Sequence, residues 1–219
     1  MKFQTLSVFL LFSVISFAQK VELPNAKFMT GDNIAYSYPS WEDYKWQDIK
    51  VNKTWDSQGF ASYDGFAWYR FHLVMVPSLK ERSLWKDSIR IFLAKIDDAC
   101  EVFINGVKIG KSGSFPDDKD GYITTWSKKQ EFHIAANSNF FNWGGENILS
   151  VRVYDGGGPG GIYGGTPYAN MIDLIDGVEI NNSSPVPFIS PVNAKKTIIL
   201  LNTYDQSITA KLFFNIIDL

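Results

Sequence analysis

The sequence predicts an all-β protein built as a jelly-roll β-sandwich. Short strand-like runs recur between glycine, proline, asparagine and aspartate residues, and no window keeps helical spacing for longer than about ten residues. Hydrophobic residues make up 45% of the chain and aromatic residues 16%, which is typical of a globular, sheet-rich protein and not of a disordered one. Runs with this spacing favour a sandwich in which long connections join two sheets.

The strand with the clearest alternation begins after an Asp64-Gly65 turn. Its apolar face is core-like and consists of Ala67, Tyr69, Phe71, Leu73 and Met75, whereas its other face carries Phe66, Trp68, Arg70 and His72. A second apolar strand and a turn at Asp97-Asp98 follow, and then a third strand that ends in Asn105-Gly106. An Asn-Gly pair accepts positive φ at both central positions of a type I′ turn, so this pair predicts a hairpin.

The other strands follow from short apolar runs between turn residues. In all, strands are predicted at residues 68–76, 88–93, 101–104, 107–109, 130–134, 147–154 and 171–180. Residues 19–60 show little sustained hydrophobic periodicity, and we interpret them as lead-in strands and loops that cover the edge of the sandwich. Two long loops, residues 111–126 and 155–168, join strands, and loops of this length are usually functional or disordered.

The composition divides the chain into segments. Residues 1–18 combine an early lysine, an apolar stretch and small residues near their end, which predicts a cleavable export signal and a secreted or periplasmic protein. We expect the sandwich over residues 19–181, without a membrane span, and a Pro/Ser-rich linker over 182–196. Residues 197–219 contain two strand-like runs. This C-terminal strand hairpin either begins a second sandwich or adds to the first.

Charge and residue content exclude several classes of function. A formal net charge of −2 and a pI of about 5.7 give no basic face for nucleic acid. The single cysteine, Cys100, cannot form an internal disulfide, and its neighbours favour a small buried hydrophobe. Neither His72 nor His133 has a partner at metal-ligand spacing, and the sequence has no G-x-S-x-G motif of a serine hydrolase.

Two loop motifs suggest ligands that the surrounding sequence does not support. Gly156, Gly158 and Gly161 satisfy G-x-G-x-x-G, but Pro159 interrupts the run and no helix start follows to receive a pyrophosphate. Residues 116–127 resemble half of a calcium loop, but proline holds the first ligand position and serine the twelfth, which excludes an EF-hand. We expect no cofactor, and an irregular structural calcium site made of loop oxygens is the open alternative.

Aromatic residues in the loops suit sugar recognition. A pyranose ring can lie with its C–H face on an aromatic ring, while its hydroxyl groups pair with Asp, Asn, Arg or backbone groups. On these grounds the candidate ligand-binding residues are Trp68, Arg70, Trp126, Trp143, Asp155 and Tyr163. Core packing is the alternative role for the tryptophans, and bracing of the sheet is the alternative role for Arg70.

Three runs in order along the chain carry a family resemblance. The runs DGFAWYRF, IDDACEVFINGVKIG and ENILSVRVYDGGGPGGIYGG resemble the sugar-binding jelly-roll domain at the front of family-two glycoside hydrolases such as β-galactosidases and β-glucuronidases. The same type of domain is inserted in sialate O-acetylesterases. The resemblance covers residues 39–180 and implies a galactose-binding-like β-sandwich that is an accessory module and not the catalytic domain.

The resemblance also implies an interface. In family-two enzymes, the loop and the turn that match GGIYGG and NGVKIG face the catalytic barrel, which marks Asn105, Gly110, Gly161 and Ile162 as interface candidates. A chain of 219 residues leaves no room for that barrel, so this role needs another chain or is lost.

Several functional hypotheses therefore stand side by side. The first is a noncatalytic carbohydrate-binding module whose partner is a galactoside or a related glycan. The second is a structural module that packs on the catalytic domain of a hydrolase, and a related one is a fragment of a β-galactosidase-like hydrolase. The last is a chain that is itself an active glycosidase or esterase, although family-two enzymes place their two catalytic carboxylates on a barrel that this chain lacks.

Overall fold

The computed structural model describes residues 20–82, 88–172, 178–181 and 199–202, and its regular structure is almost entirely β, as the sequence predicts. The strands are β1 (Val21–Glu22), β2 (Asn25–Thr30), β3 (Gln47–Lys50), β4 (Gly65–Val74), β5 (Ser88–Ile96), β6 (Ala99–Ile104), β7 (Val107–Ser112), β8 (Lys129–Ala135), β9 (Glu146–Asp155), β10 (Ile162–Tyr163), β11 (Tyr168–Met171), β12 (Val178–Asn181) and β13 (Ile199–Asn202). The helical elements are α1 (Pro77–Arg82) and two 3-10 turns, Ile34–Ser37 and Trp55–Gln58.

Two antiparallel sheets form the sandwich. One has six strands in the order β3-β2-β4-β9-β6-β7. The other has five strands around β5, which pairs with β8 along one edge and with β10 and β11 at successive positions of the other edge, while β1 pairs with β11. β5 and β6 therefore lie in different sheets, and the predicted turn at Asp97-Asp98 carries the chain from one sheet to the other.

The core lies between the two sheets. From β4 it receives the predicted apolar face, Ala67, Tyr69, Phe71 and Leu73, all of them buried, and Met75 is buried just beyond the strand. From β5 it receives Ile89, Ile91, Leu93 and Ile96. Because each fully buried side chain of this size contributes roughly 1.5–3 kcal/mol to folding, this alternation fixes which face of each strand points inward.

Part of the opposite face of β4, at Trp68 and Arg70, is also buried, beneath the irregular segment 32–46. The side chain of Trp68 has no exposed surface, and its ring stacks on Phe103 with 5.7 Å between the ring centroids. Trp46 completes this second cluster, and Tyr36 packs against it. Residues 20–60 thus cover the flat face of the six-stranded sheet as well as its edge.

The predicted hairpin at Asn105-Gly106 is confirmed. The φ angles of these residues are 49° and 83°, and they connect β6 directly to β7. By contrast, the predicted strand at residues 171–180 is wrong in its extent, because β11 ends at Met171 and β12 begins at Val178. β12 pairs with β13, which lies within the first run of the predicted C-terminal hairpin.

Several predicted segments lie outside the described residues. They are the export signal, the linker and the second strand-like run of the tail. Within the described part of the chain, no helix has both the length and the apolar character that a membrane crossing requires.

Candidate functional site

A cleft of about 400 Å³ opens at one end of the sandwich, where four loop segments meet. It is lined by Thr54, Asp97, Trp126, Gly157, Pro159 and Tyr163. These residues come from the segment before the second 3-10 turn, the crossover after β5, the loop before β8, the glycine loop after β9, and β10. The cleft has the size of a small-molecule site, for which volumes of roughly 300–1,000 Å³ are usual.

Two aromatic rings define the mouth of the cleft. Trp126 is 52% exposed, an unusually large fraction for a tryptophan in a folded domain. Tyr163 lies on β10, where it pairs with Lys95 of β5, and its hydroxyl group donates a hydrogen bond to the backbone carbonyl of Trp126 at 2.9 Å. The rigid sheet therefore holds the loop that carries Trp126, while the indole ring itself stays accessible.

Asp98 anchors two of the loops that form the cleft. Its carboxylate accepts hydrogen bonds from the hydroxyl groups of Tyr122 and Thr124 on the loop before β8, the second at 2.5 Å. It also accepts one from the backbone N–H of Gly156 on the glycine loop at 2.8 Å. The backbone carbonyl of Asp98 accepts the N–H of Thr125 at 2.7 Å, which fixes the residue just before Trp126.

The glycine loop packs tightly against the second 3-10 turn. A β-carbon at Gly160 would lie 2.2 Å from Cζ2 of Trp55 and 2.3 Å from Oδ2 of Asp155, so only glycine fits there. The N–H of Gly160 donates to Asp56 at 2.9 Å, and the carbonyl of Gly160 accepts the N–H of Trp55 at 3.0 Å. These contacts seat Pro159 and Gly157 at the wall of the cleft.

Acidic groups crowd the floor of the cleft, and their pKa values are raised. Burial raises the pKa of Asp97 to about 7, with added repulsion from Asp155, Asp98 and Asp56. Burial also raises the pKa of Asp155 to about 6, and the nearby acids Asp98 and Asp64 add to the effect. Oδ2 of Asp155 is buried without a hydrogen-bond partner among the described residues, which is consistent with a carboxyl group that binds its proton tightly.

The structure brings together three of the six candidate ligand-binding residues. Trp126 and Tyr163 line the cleft, and Asp155 lies beneath it at the start of the glycine loop. Asp155 is fully buried, and its Oδ1 accepts the N–H of Gly157 at 2.8 Å. It therefore shapes the loop and does not present its carboxylate to a ligand.

Trp68 and Arg70 are not at this site, and direct contact of either with a ligand does not fit the structure. Trp68 is covered on all sides, and its indole N–H donates to Asp32 at 3.2 Å. Arg70 is only 1% exposed and binds the segment 32–46 through Asp43 at 2.8 Å and through three backbone carbonyls. Both residues face the second cluster because alternate positions of β4 point away from the core.

Trp143 packs against the main core instead of lining the cleft. Its indole N–H donates to the backbone carbonyl of Ala136 at 2.8 Å, its ring contacts Phe141, and the ammonium group of Lys80 lies 5.7 Å from its ring centroid. This environment indicates a packing role for Trp143.

The four interface candidates have internal roles. Both side-chain polar atoms of Asn105 are used inside the domain, since Nδ2 donates to Phe140 O at 2.7 Å and Oδ1 accepts the N–H of Ile148 at 2.8 Å. A β-carbon at Gly110 would meet the ring of Phe132 at 2.3 Å. Gly161 and Ile162 are buried, with Ile162 in the main core. These placements do not fit side chains that face another domain.

Three important residues of the site, Asp97, Asp98 and Trp55, are not among the site residues predicted from the sequence. Asp97 and Asp98 were interpreted only as a turn, although two adjacent acids after a buried strand are a signal that could have identified them. Trp55, which has no exposed surface and supports the glycine loop, was part of the lead-in segment that showed little periodicity.

No protein-family model and no curated protein sequence matches this chain. Solved structures do match it. A β-glucuronidase from Bacteroides uniformis aligns over 76% of this chain at 22% identity, with a TM-score of 0.56. A family 2 glycosyl hydrolase from Bacteroides cellulosilyticus aligns over 76% at 17% identity with a TM-score of 0.56, and another family 2 β-glucuronidase over 78% at 18% identity with a TM-score of 0.55. Family 2 glycoside hydrolases contain this fold.

The match concerns one part of those enzymes. The aligned segment covers 20%, 23% and 21% of the three matched chains, so this chain spans about one fifth of their length. The expected resemblance to a domain of family 2 glycoside hydrolases is thus confirmed for the fold. At these sequence identities, the structural similarity shows the fold of this chain and does not show the activity of those enzymes.

The acids of the site do not form a metal-binding group. One matched structure is a calcium-binding mutant of the Bacteroides uniformis β-glucuronidase 2. In the described part of this chain, no three His, Cys, Asp or Glu side chains are arranged to hold a metal ion. Asp98 and Asp56 instead use their carboxylate oxygens to accept hydrogen bonds from hydroxyl and backbone N–H groups. The alternative of an irregular calcium site stays a prediction that these residues do not support.

Proposed function

We propose that this protein is a noncatalytic carbohydrate-binding module, related in fold to a domain of family 2 glycoside hydrolases, that serves the breakdown of glycans. The observation that carries the proposal is the exposed indole ring of Trp126 at the mouth of a cleft whose floor holds Asp97. The predicted export signal supports a place outside the cytoplasm, where glycan substrates of such enzymes are found.

The cleft offers the two kinds of contact that a sugar uses. A half-exposed tryptophan held by its backbone gives a flat apolar surface for the C–H face of a pyranose ring. Asp97, Thr54 and the backbone of the glycine loop offer polar groups beside that surface for the hydroxyl groups. A single sugar would bind weakly, because a small ligand gains at most about 0.3–1.5 kcal/mol per heavy atom.

Catalysis of glycoside hydrolysis requires more than this cleft provides. The reaction normally uses two carboxyl groups that face the scissile bond across roughly 5–9.5 Å. Among the described residues that line the cleft, Asp97 is the one acid, and the carboxyl group of Asp155 is fully buried beneath it. The arrangement therefore supports binding without bond cleavage.

The test is a binding screen paired with an activity assay. The purified protein is titrated with methyl galactoside, methyl glucoside and soluble plant and host polysaccharides, and tryptophan fluorescence and calorimetry report binding. The same sample is incubated with nitrophenyl galactoside and nitrophenyl glucuronide. Saturable binding without release of nitrophenol supports the proposal. The absence of binding across the panel, or turnover that is lost when Asp97 is replaced by Asn, contradicts it.

A second candidate function is docking on the catalytic domain of a hydrolase. The observation that favours it is the group of exposed apolar side chains on the loop before β8, where Tyr122 is 43% exposed, Ile123 51% and Trp126 52%. Sedimentation of this protein with a family 2 catalytic domain separates the two candidates. A complex that the substitution Ile123→Asp weakens, together with no binding of free sugar, favours docking.

A further inference from the structure

We propose that the cleft selects uncharged pyranosides and rejects uronic acids, an inference that rests on the proposed sugar-binding function. The matched enzymes include β-glucuronidases, whose name refers to an anionic sugar. The residues that line this cleft instead indicate a preference for neutral ligands. They include an aspartate and, among those described, no lysine or arginine.

The negative charge at the cleft is not confined to Asp97. Three more acids lie close enough to act on its charge, namely Asp56 at the second 3-10 turn, Asp98 at the crossover and Asp155 at the end of β9. The charged groups that shift the pKa of Asp97 are these same three acids, and each of them raises it. Burial raises the pKa of the Tyr163 hydroxyl group at the mouth of the cleft, and the charges of Asp97 and Asp98 add to the effect.

Recognition of a carboxylate normally uses a cation. Arginine binds a carboxylate through two parallel N–H donors, and lysine binds it as a point charge. Arg70 and Arg152 do not line the cleft and already have acidic partners, Asp43 for Arg70 and both Asp32 and Glu101 for Arg152. Lys53 precedes the lining residue Thr54, and Lys95 pairs with Tyr163 across the sheet, but neither lysine is among the residues that line the cleft.

A uronic acid would therefore place its carboxylate in an acidic, partly desolvated cleft without a compensating cation. Like charges a few ångströms apart under these conditions reduce affinity by about tenfold or more. The same repulsion cannot act on a neutral sugar of the same shape. Asp97 can instead accept a hydrogen bond from one of its hydroxyl groups.

A pair of ligands that differ only in charge tests the inference. Methyl β-D-glucuronide and its neutral amide, methyl β-D-glucuronamide, are titrated at pH 8 and low salt, with methyl β-D-glucoside as a further neutral ligand. Binding is followed by ligand-observed NMR, which detects weak complexes. We expect the neutral ligands to bind at least about tenfold more tightly than the glucuronide, and we expect the difference to shrink in 0.5 M salt because the repulsion is then screened.

The variant Asp97→Asn makes the test specific to this cleft. It removes the charge nearest the ligand with little change in shape, so the preference for the amide over the glucuronide should fall several-fold. Asp48→Asn, an exposed acid paired with Lys27, is the matched control and should leave the preference unchanged. Equal or tighter binding of the glucuronide to the wild-type protein overturns this inference and leaves the proposed function standing. No binding of any glycan overturns both.

Discussion

The hydroxyl group of Tyr163 donates a hydrogen bond at 2.9 Å to the backbone carbonyl of Trp126, 37 residues away in the sequence. This bond joins a residue of the five-stranded sheet to the most exposed tryptophan of the described chain. Trp126 itself lies on a loop without regular structure. Its position at the mouth of the cleft therefore depends on Tyr163 and on the contacts of Asp98.

Loss of this hydrogen bond should weaken ligand binding with little effect on folding. Tyr163→Phe keeps the ring and removes the hydroxyl group, and we expect a loss of affinity of roughly 3- to 10-fold, since a hydrogen bond of this kind contributes about 0.5–1.5 kcal/mol. Calorimetric titration measures the affinity. Tyr38→Phe, whose ring is half exposed and lies on the segment 32–46, is the control. An unchanged affinity in Tyr163→Phe would show that the bond does not position the binding surface.

Removal of the exposed indole ring should strongly weaken sugar binding. We expect Trp126→Ala to reduce affinity at least tenfold, because stacking on an exposed aromatic ring supplies much of the contact area for a sugar. The melting temperature should change little, since about half of the side chain is already in water. Tyr44→Ala, which removes a ring that is 66% exposed elsewhere, is the matched control. Similar affinities for the two variants and the wild-type protein would exclude Trp126 as the platform.

Asp98 should contribute strongly to stability, although it belongs to a surface cleft. Asp98→Asn suits the φ of 46° at this position, because asparagine tolerates the left-handed region. It leaves donors from Tyr122, Thr124 and Gly156 without a full set of acceptors, and we expect a loss of about 1–3 kcal/mol in the free energy of unfolding. Urea denaturation measures this loss.

Asp120→Asn is the control for Asp98→Asn, since its exposed carboxylate lies on the same loop as Thr124. We expect it to change the free energy of unfolding by less than about 0.5 kcal/mol. If both variants unfold at the same urea concentration as the wild-type protein, Asp98 does not anchor the loops.

Arg70 should be essential for the segment 32–46. In Arg70→Met the buried carboxylate of Asp43 loses the guanidinium group and keeps Nε2 of His72 at 3.1 Å, while the carbonyls of Tyr38 and Trp41 lose their side-chain donor. We expect a loss of about 3–5 kcal/mol in the free energy of unfolding, as is usual when one partner of a buried ion pair is removed. Lys27→Met, which breaks an exposed pair with Asp48, should cost less than about 1 kcal/mol. Equal costs in thermal or urea denaturation would contradict this role for Arg70.

Stability should fall as the pH rises toward neutral, because of Asp97. Its pKa is about 7 in the folded protein against an ordinary value of 3.8, so the unfolded chain releases this proton first as the pH increases. The contribution of the protonated group is complete below about pH 4 and is lost as the pH passes about 7. We expect Asp97→Asn to raise the free energy of unfolding above pH 7 by on the order of 1 kcal/mol, since solvent at the cleft reduces the full effect.

Urea denaturation between pH 5 and pH 8 measures this dependence. Asp155, with a pKa raised to about 6, contributes the same pH dependence to both proteins, so the two curves should diverge steadily from pH 5 to about pH 7 and run parallel above it. Parallel curves for the variant and the wild-type protein would show that Asp97 is ionised normally in the fold.

The sequence predicted the fold well where local patterns decide the structure. The alternation of apolar and polar residues along β4 correctly predicted its core face, and the Asn105-Gly106 pair correctly predicted the hairpin. Both features depend on neighbouring residues alone. The burial of Trp68 and Arg70 could not be predicted in this way. It depends on the irregular segment 32–46, which Arg70 binds through backbone carbonyl groups. Because every residue has a backbone carbonyl, these contacts leave no signal in the sequence.

The site was predictable only in part for a similar reason. Trp126, Tyr163 and Asp155 were found because aromatic and acidic residues in long loops are a local signal. The role of Asp98 depends on partners 24, 26 and 58 residues away in the sequence. No local pattern predicts which loops meet at one end of a sandwich, so the residue that joins them was missed.

The most direct test of the central claim is an NMR titration that observes the seven tryptophan indole N–H signals of the chain. The ligand is a neutral glycan that binds in the screen, and the signal of Trp126 is assigned with Trp126→Phe. Our account predicts that the indole signal of Trp126 shifts most, while those of the buried Trp55 and Trp68 stay in place. A titration that shifts the signal of Trp41 and leaves that of Trp126 unchanged would contradict it.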